Sequence, residues 1–307
     1  MNKKQKILIT GSSGTIGTRL CEKLMEMECD ILGVDYVRNK WNNEVQKVTM
    51  AVDLRNKEEL SKLPVDFDMI VHLAANARVY NLVVEPSLAM DNMITTFNIL
   101  EFARLNNIKK FVFASSREVY GNSREEVHSE LEVSIDNCES PYTASKITGE
   151  ALVQAYHKCF GMDFLIFRFS NVYGMYDDSD RLVPLFIKQS MNNEDLVVFG
   201  KEKLLDFTYI DDTVAGVVKG LESFDAVKDN VFNIAYGEGT KILDIAKVVK
   251  SLLGSKSRII LKDNRPGEVV KYVADTAKAR KLIGYSPKVA IEDGLKKSVE
   301  WYKNYWG

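Results

Sequence analysis

Cysteine is scarce in this chain: Cys21, Cys29, Cys138 and Cys159 are the only four in 307 residues, widely spaced and with no CxxC pair. That pattern excludes a disulfide framework or a zinc knuckle and suits reduced, buried thiols. Histidine is scarcer still. His72, His128 and His157 show no ligand spacing, so all three are read as structural and no metal site is expected. No apolar run approaches a membrane span, and in the basic N-terminus MNKKQKILIT the stretch ILI is far shorter than a signal-peptide core. A cytoplasmic protein without a membrane partner is expected. Charge of one sign is missing too. The 41 basic and 43 acidic residues are interspersed to a net −2, leaving no basic stripe for nucleic acid. There is no Pro- or Ser-rich linker and no internal repeat.

What is present is an alternation. Short β-branched runs (KILIT, CDILGVD, KVTMAVD, DMIVHLA, KKFVFAS, DFLIFRF) are interleaved with helical patterns starting near Thr15, Asp91 and Pro141. Strands alternating with helices predict an α/β fold with a Rossmann-type doubly wound parallel sheet. After Asn171 the rhythm loosens. Residues 1–171 are therefore read as the nucleotide-binding domain and 172–307 as a smaller C-terminal α/β substrate lobe, containing a helix near LVPLFIKQSM and the closing helix IEDGLKKSVEWYKNYW. Residues Phe207 to Asn233 again read strand, helix, strand, and are expected to return to the large sheet.

The first chemical motif is TGSSGTIG at 10–17, between a strand and a helix. Gly11, Gly14 and Gly17 allow a tight turn, close backbone approach to a pyrophosphate, and close helix packing, with Ser13, Thr15 and Ile16 between them as further cofactor contacts. Asp35, followed by Tyr36, stands at the tip of the second strand, where a carboxylate accepts both ribose hydroxyls and repels a 2′-phosphate. This predicts NAD, although Arg38 and Lys40 close by could favour NADP. The second motif is Tyr142 with Lys146 in ESPYTASK. Ser140 is a natural N-cap and Pro141 a natural first helical residue, so the tyrosine and lysine lie one turn apart on one face. An ammonium there, joined by an oxidised nicotinamide, pulls a phenol toward neutrality and makes Tyr142 a general base.

With these motifs in order, the chain resembles the extended short-chain dehydrogenase/reductases, specifically the nucleotide-sugar epimerase/dehydratase group. The resemblance spans nearly the whole chain: TGSSGTIG, Asp35, VDL at 52–54, HLAA at 72–75, Asn92, SSREVYG at 115–121, YTASK, RFSNVYG at 168–174, DFTYIDD at 206–212, FNIAYGEGT and RPGEV at 265–269. It implies that Asp53 and Leu54 lie at the adenine, Leu73, Ala74 and Ala75 along the cofactor, and Asn92 behind it. It implies a catalytic triad of Ser116, Tyr142 and Lys146, with Lys146 also holding the nicotinamide ribose. Asn171 and Arg265 correspond to contacts with the diphosphate of a nucleotide sugar, most simply a UDP-sugar, and Val183 and Arg78 to further substrate contacts. Relatives usually form homodimers through the helix after HLAA and the helix carrying YxxxK, and MDNMITTFNILEFARL and KITGEALVQAYHKCF have apolar positions enough for two faces.

The resemblance also implies a first step, in which Ser116 hydrogen-bonds the sugar hydroxyl, Tyr142 takes its proton and the sugar is oxidised at C4. The second step divides the family, and here the chain departs from its patterns. Dehydratases carry Thr-Asp-Glu before VYG and decarboxylases Thr-Ser-Glu; this chain has Ser116-Arg117-Glu118. Glu118 stands where a lyase keeps its base, and in an extended segment it shares a side with Ser116. Arg117 replaces the acid a dehydratase needs and cannot donate a proton at neutral pH. Either it faces the site and grips a uronate carboxylate, or it points to the surface and pairs with Glu125 or Glu126. Leu205 replaces a usual phosphate-binding arginine, for which Lys203, Arg181 or Arg78 could substitute. MYDDSDR, where relatives have Gly-Pro-Arg, is read as a solvated acidic loop. The leading expectation is an NAD-dependent nucleotide-sugar 4-epimerase. The alternatives are a 4,6-dehydratase or uronate decarboxylase using Glu118, a reductase, or a non-catalytic NAD-binding protein.

Overall fold

The computed structural model describes residues 5–307, so MNKK lies outside the described residues. The strands are β1 (Lys6–Thr10), β2 (Asp30–Asp35), β3 (Thr49–Ala51), β4 (Met69–His72), β5 (Lys110–Ser116), β6 (Asp163–Phe169), β7 (Asn171–Tyr173), β8 (Leu196–Phe199), β9 (Leu204–Tyr209), β10 (Asn230–Ile234), β11 (Gly239–Lys241), β12 (Ile259–Lys262) and β13 (Lys271–Tyr272). Seven of them form one sheet in the order β10-β6-β5-β4-β1-β2-β3. Every neighbouring pair is parallel. The order reverses between β1 and β4, the crevice where doubly wound sheets bind dinucleotides.

Helices cover both faces, which is why these strands read as apolar runs rather than alternations. On one face Leu8, Ile70, Phe111 and Ile166 pack with Ile99 and Leu100 of the Ser87–Leu105 helix and Val153 of the Pro141–Phe160 helix. On the other, Ile7, Ile9, Val71, Val112 and Phe167 pack with Leu20 and Leu24 of the Thr15–Glu26 helix and Val214 and Val217 of the Ile210–Glu222 helix. That second cluster runs on without a break to Phe186, Val198, Ile245, Leu295 and Tyr302. The C-terminal elements thus share a core with the large sheet. The Ser87–Leu105 helix starts before the expected Asp91, because Pro86 already holds helical dihedrals at φ −63°.

The return of residues 207–233 needs a correction. β9 does not join the large sheet; its Phe207–Tyr209 end pairs with β7, and Leu204 and Leu205 pair with β11 on one side and β13 on the other. Only the Ile210–Glu222 helix and β10, which pairs with β6, go back. The buried Asp206 carboxylate ties this small sheet to the loop after β10, accepting the amides of Tyr236 at 3.1 Å and Gly237 at 2.8 Å. Among the described residues, no helix is long and apolar enough to cross a membrane.

Candidate active site

A cavity of about 710 Å³ runs from the glycine loop after β1, past the ends of β5 and β6, to the elements beyond Tyr173. At one end the backbone leaves no room for side chains. Gly11 has φ +74°, and a Cβ on it would lie 2.7 Å from the Ala74 nitrogen; one on Gly17 would lie 2.0 Å from the Gly11 carbonyl oxygen. Gly14 caps the Thr15–Glu26 helix without any side-chain hydrogen bond, so the first helical N–H groups stay available. Glycine backbone plus an uncapped helix start fits a dinucleotide pyrophosphate. Asp35 accepts the Ser13 amide at 3.0 Å and the Val37 amide at 3.1 Å. Burial pushes its pKa up while those N–H groups pull it down. Leu73 and Ala75 line the cavity, with Ala74 backing Gly11. Asn92 sits behind them, accepting the Asn76 amide at 2.7 Å and donating to its carbonyl at 3.0 Å. Tyr36 is two-thirds exposed, at 67%. Asp53 and Leu54 fall outside the cavity, and Asp53 is held by Arg55 at 2.7 Å.

In the middle, Ser116 ends β5, and the Pro141–Phe160 helix brings Tyr142 and Lys146 to it. Ser140 caps that helix by accepting the Thr143 amide at 3.1 Å, which fixes the register of both side chains. Ser116 and Tyr142 both line the cavity, and burial pushes the phenol's pKa up to about 12, with Ser116 pulling the other way. Lys146 donates to the Ala114 carbonyl at 2.8 Å, and its Nζ lies 5.8 Å from the Tyr142 ring centroid. Burial lowers its pKa to about 8, with Glu150 pulling the other way. Sequence reasoning expected the lysine to draw the phenol toward neutrality. In the chain alone, burial outweighs it, because the ammonium is engaged by a carbonyl rather than aimed at the phenol.

The sugar end holds the largest departures. Residues 117–120 are not extended but form a 3₁₀ turn, because the Ser116 Oγ accepts the Glu118 amide at 3.2 Å and caps it. Period-two reasoning therefore fails there, although Glu118 still lines the cavity. Arg117 does not reach the surface to meet Glu125 or Glu126. It is buried, 2.7 Å from the Glu118 carboxylate, 3.1 Å from Asn171 Oδ1 and 5.7 Å from the Tyr272 ring centroid. Burial raises the Glu118 pKa against Arg117 and Lys203. Lys203 is buried and paired with Glu268 at 2.6 Å beside Leu205, which is buried in β9. Arg265 stacks on Phe199 at 3.9 Å and Tyr80 at 4.8 Å. Burial lowers the pKa of Arg78, as do the charges of Arg181 and Arg265 against that of Asp177, and all three arginines line this end of the cavity. Val183 is buried against the same space. The MYDDSDR loop is not simply solvated: Asp178 pairs with Lys40, Asp180 with Arg78, and Asp177 with Arg181 at 3.7 Å.

Comparison with known sequences bears on this geometry directly. The sequence model of the NAD dependent epimerase/dehydratase family matches residues 7–235. The chain belongs to that family. A UDP-glucuronate 4-epimerase of Thermodesulfobacterium geofontis is 31% identical, the match covering 96% of this chain and 95% of that one. Among solved structures, a UDP-glucuronic acid 4-epimerase from Bacillus cereus, in complex with UDP-glucuronic acid and NAD, superposes with a TM-score of 0.91 at 31% identity, covering 98% of this chain and all of the other. A UDP-glucose 4-epimerase with UDP-glucose from Thermotoga maritima gives 0.89 at 28% identity over 99% of this chain and 100% of that one. Family membership makes the chemistry NAD-dependent, and the free helix start and glycine cradle of this chain fit that cofactor.

Several side chains of this epimerase/dehydratase site escaped sequence reasoning. Phe199 and Tyr80 carry no local motif that points to a ligand, and only the fold brings them to Arg265 and pairs Glu268 of RPGEV with Lys203. The histidines occupy structural places. His72 bonds Thr10 at 2.7 Å and Thr96 at 3.2 Å, and burial lowers its pKa to about 3. His157, Asp163 and Asp229 converge within 4.8 Å, but Lys228 already pairs with Asp163 at 2.9 Å and the Phe164 amide with Asp229 at 3.2 Å. All four cysteines are free thiols, and burial raises the pKa of Cys21 to about 12.

Proposed function

We propose that this chain is an NAD-dependent UDP-sugar 4-epimerase working through a transient 4-keto sugar. The observation that carries the reading is one continuous cavity lined by Gly11, Gly14 and Gly17, by Ser116, Tyr142 and Lys146, and by Arg78, Arg181 and Arg265. Relatives whose names state 4-epimerase activity, matching over nearly the full length, support it. Gly11 to Gly17 would hold the pyrophosphate of NAD, Asp35 a ribose, Leu73 to Ala75 its flank and Lys146 the nicotinamide ribose. When bound there, NAD supplies the hydride acceptor and donor at C4. Ser116 orients the C4 hydroxyl, Tyr142 holds or takes its proton, and the neighbouring ammonium and oxidised cofactor bring the phenol down from about 12 to a working range. The three arginines neutralise the substrate diphosphate in place of the arginine missing at Leu205.

A second reading, elimination or decarboxylation with Glu118 as base, draws support from the burial of that carboxylate beside Ser116. Mass spectrometry of products from UDP-glucose, UDP-N-acetylglucosamine and UDP-glucuronate separates the two. Unchanged mass with a new C4 configuration by NMR supports the epimerase; loss of water or carbon dioxide overturns it. The same molecule is proposed to be a homodimer through the Ser87–Leu105 and Pro141–Phe160 helices, since Met90, Ile94 and Phe97 are exposed at 55%, 40% and 39% on the first of these. Light scattering at micromolar concentration that returned the monomer mass would remove that part.

A further inference from the structure

Residues 175–181, MYDDSDR, tie together loops that are far apart in sequence. The Thr15 hydroxyl, at the helix start after the glycine turn, donates to the Tyr176 carbonyl at 2.8 Å. Asp178 pairs with Lys40 of the loop after β2, and Asp180 with Arg78 of the loop after β4. Those are the connections at the carboxyl ends of β1, β2 and β4, where a doubly wound sheet binds its dinucleotide. Asp177 and Asp180 line the same cavity as Gly11 and Gly14. Tyr176 sits at φ +64°, a backbone conformation that is costly for a residue with a bulky side chain, so contacts from elsewhere must hold it.

The Ile291–Trp306 helix supplies them. The Tyr302 hydroxyl donates to the Asp177 carbonyl. Trp301 packs edge-on against the Tyr176 ring with centroids 5.5 Å apart, and lies 5.9 Å from Trp41 in the loop after β2. Trp41 in turn is tied to the glycine loop through buried Asn39, whose Oδ1 accepts the Trp41 amide at 2.9 Å and whose Nδ2 donates to the Ser12 carbonyl at 3.1 Å and the Thr18 hydroxyl at 2.9 Å. One face of the C-terminal helix therefore clamps two segments of the rim, while Trp41, Trp301 and Tyr302 themselves stand outside the cavity lining. We propose that residues 175–181 form a strap across the dinucleotide end of the cavity, and that Trp301 and Tyr302 are positioning residues that set how firmly NAD is retained without touching it. The inference rests on NAD lying at Gly11 to Gly17 and needs no particular sugar chemistry. The Lys40 and Arg78 ion pairs are partly exposed and hold little in water, so the packed aromatic rings and the Tyr302 hydrogen bond carry most of the closure. A strap that closes behind a bound molecule acts on its escape far more than on its entry.

The test loads the protein with NADH and follows the fall in its fluorescence as excess NAD displaces it. Trp301→Ala should speed release about 30-fold and change the association rate less than about threefold. Trp301→Phe, which keeps a ring on Tyr176, should restore release to within about threefold of the parent. Tyr302→Phe removes only the hydroxyl and should speed release about fivefold, a variant mild enough to fold normally. Val299→Ala is the control for a merely structural role: it opens a void in the core beneath the same helix, should lower the urea midpoint, and should leave the release rate in place. Release within twofold of the parent in both Trp301→Ala and Tyr302→Phe, or an equal acceleration in Val299→Ala, overturns the inference. No sugar enters the assay, so failure of the epimerase reading would leave a positive result standing.

Discussion

Two buried arginine–glutamate pairs, both with N···O of 2.7 Å, lie near the end of β5, and they are finished very differently. In the first, Glu150 takes two bonds from Arg168 and one from the Ser115 hydroxyl at 2.5 Å, while Arg168 Nη1 also reaches the Tyr120 hydroxyl at 3.1 Å and the Glu130 carbonyl at 2.8 Å. Every nitrogen of that guanidinium has a partner. In the second, Arg117 and Glu118 each keep a buried atom unmatched. Burying charge is tolerated where hydrogen bonds replace all the lost water, and where they do not, the pair carries a deficit. One pair is scaffold behind Lys146; the other lines the cavity.

The contrast between the pairs sets a graded series of outcomes. The largest concerns the centre near them. Tyr142→Phe should lower kcat by about a thousandfold or more, roughly 4 kcal/mol, while urea unfolding stays close to that of the parent; retained turnover would mean the cavity is not the active site. Next comes the scaffold pair. Glu150→Ala strands Arg168 in the interior and should reduce unfolding free energy by about 3–5 kcal/mol, measured by urea titration. A smaller effect of opposite sign is expected at Lys146, whose folded pKa of about 8 lies below the ordinary 10.5 because of burial. Between those values the unfolded chain binds more protons than the folded one, so stability rises with pH from about 8 to 10.5. Lys146→Met should flatten that rise, stabilise the cofactor-free protein by about 1–2 kcal/mol at pH 7, and remove activity. The smallest change tests the asymmetry itself. Glu118→Ala removes a carboxylate that holds one bond to Arg117, where Glu150 takes three bonds, and Arg117 keeps Asn171, so its loss should be about 1 kcal/mol; a loss matching that of Glu150→Ala would erase the distinction between the pairs.

Much of the fold was legible because its signals are local. A strand buried on both faces announces itself as an apolar run, a glycine at positive φ is demanded by the turn it makes, and Ser140-Pro141 sets the register of Tyr142 and Lys146 without help from elsewhere. The errors arose where partners are remote. Residues 204–209 look like a strand in either sheet, and only pairing with β7, β11 and β13 decides between them. Arg117 looks like a surface arginine until Asn171 and Tyr272 close around it. One error was local instead: the extended reading of SSREVYG failed because the Ser116 hydroxyl, two residues away, caps a 3₁₀ turn.

The chain's own order of residues therefore determined the doubly wound sheet, the dinucleotide loop and the shared face of Tyr142 and Lys146, since each rests on periodicity or on contacts a few residues apart; Ser116 entered through the family resemblance. Tertiary structure alone decided which charges are buried, which of them are satisfied, and that Glu118 neutralises the arginine beside it. Desolvation and hydrogen-bond completeness depend on what the rest of the molecule packs around a side chain, and no local pattern encodes that.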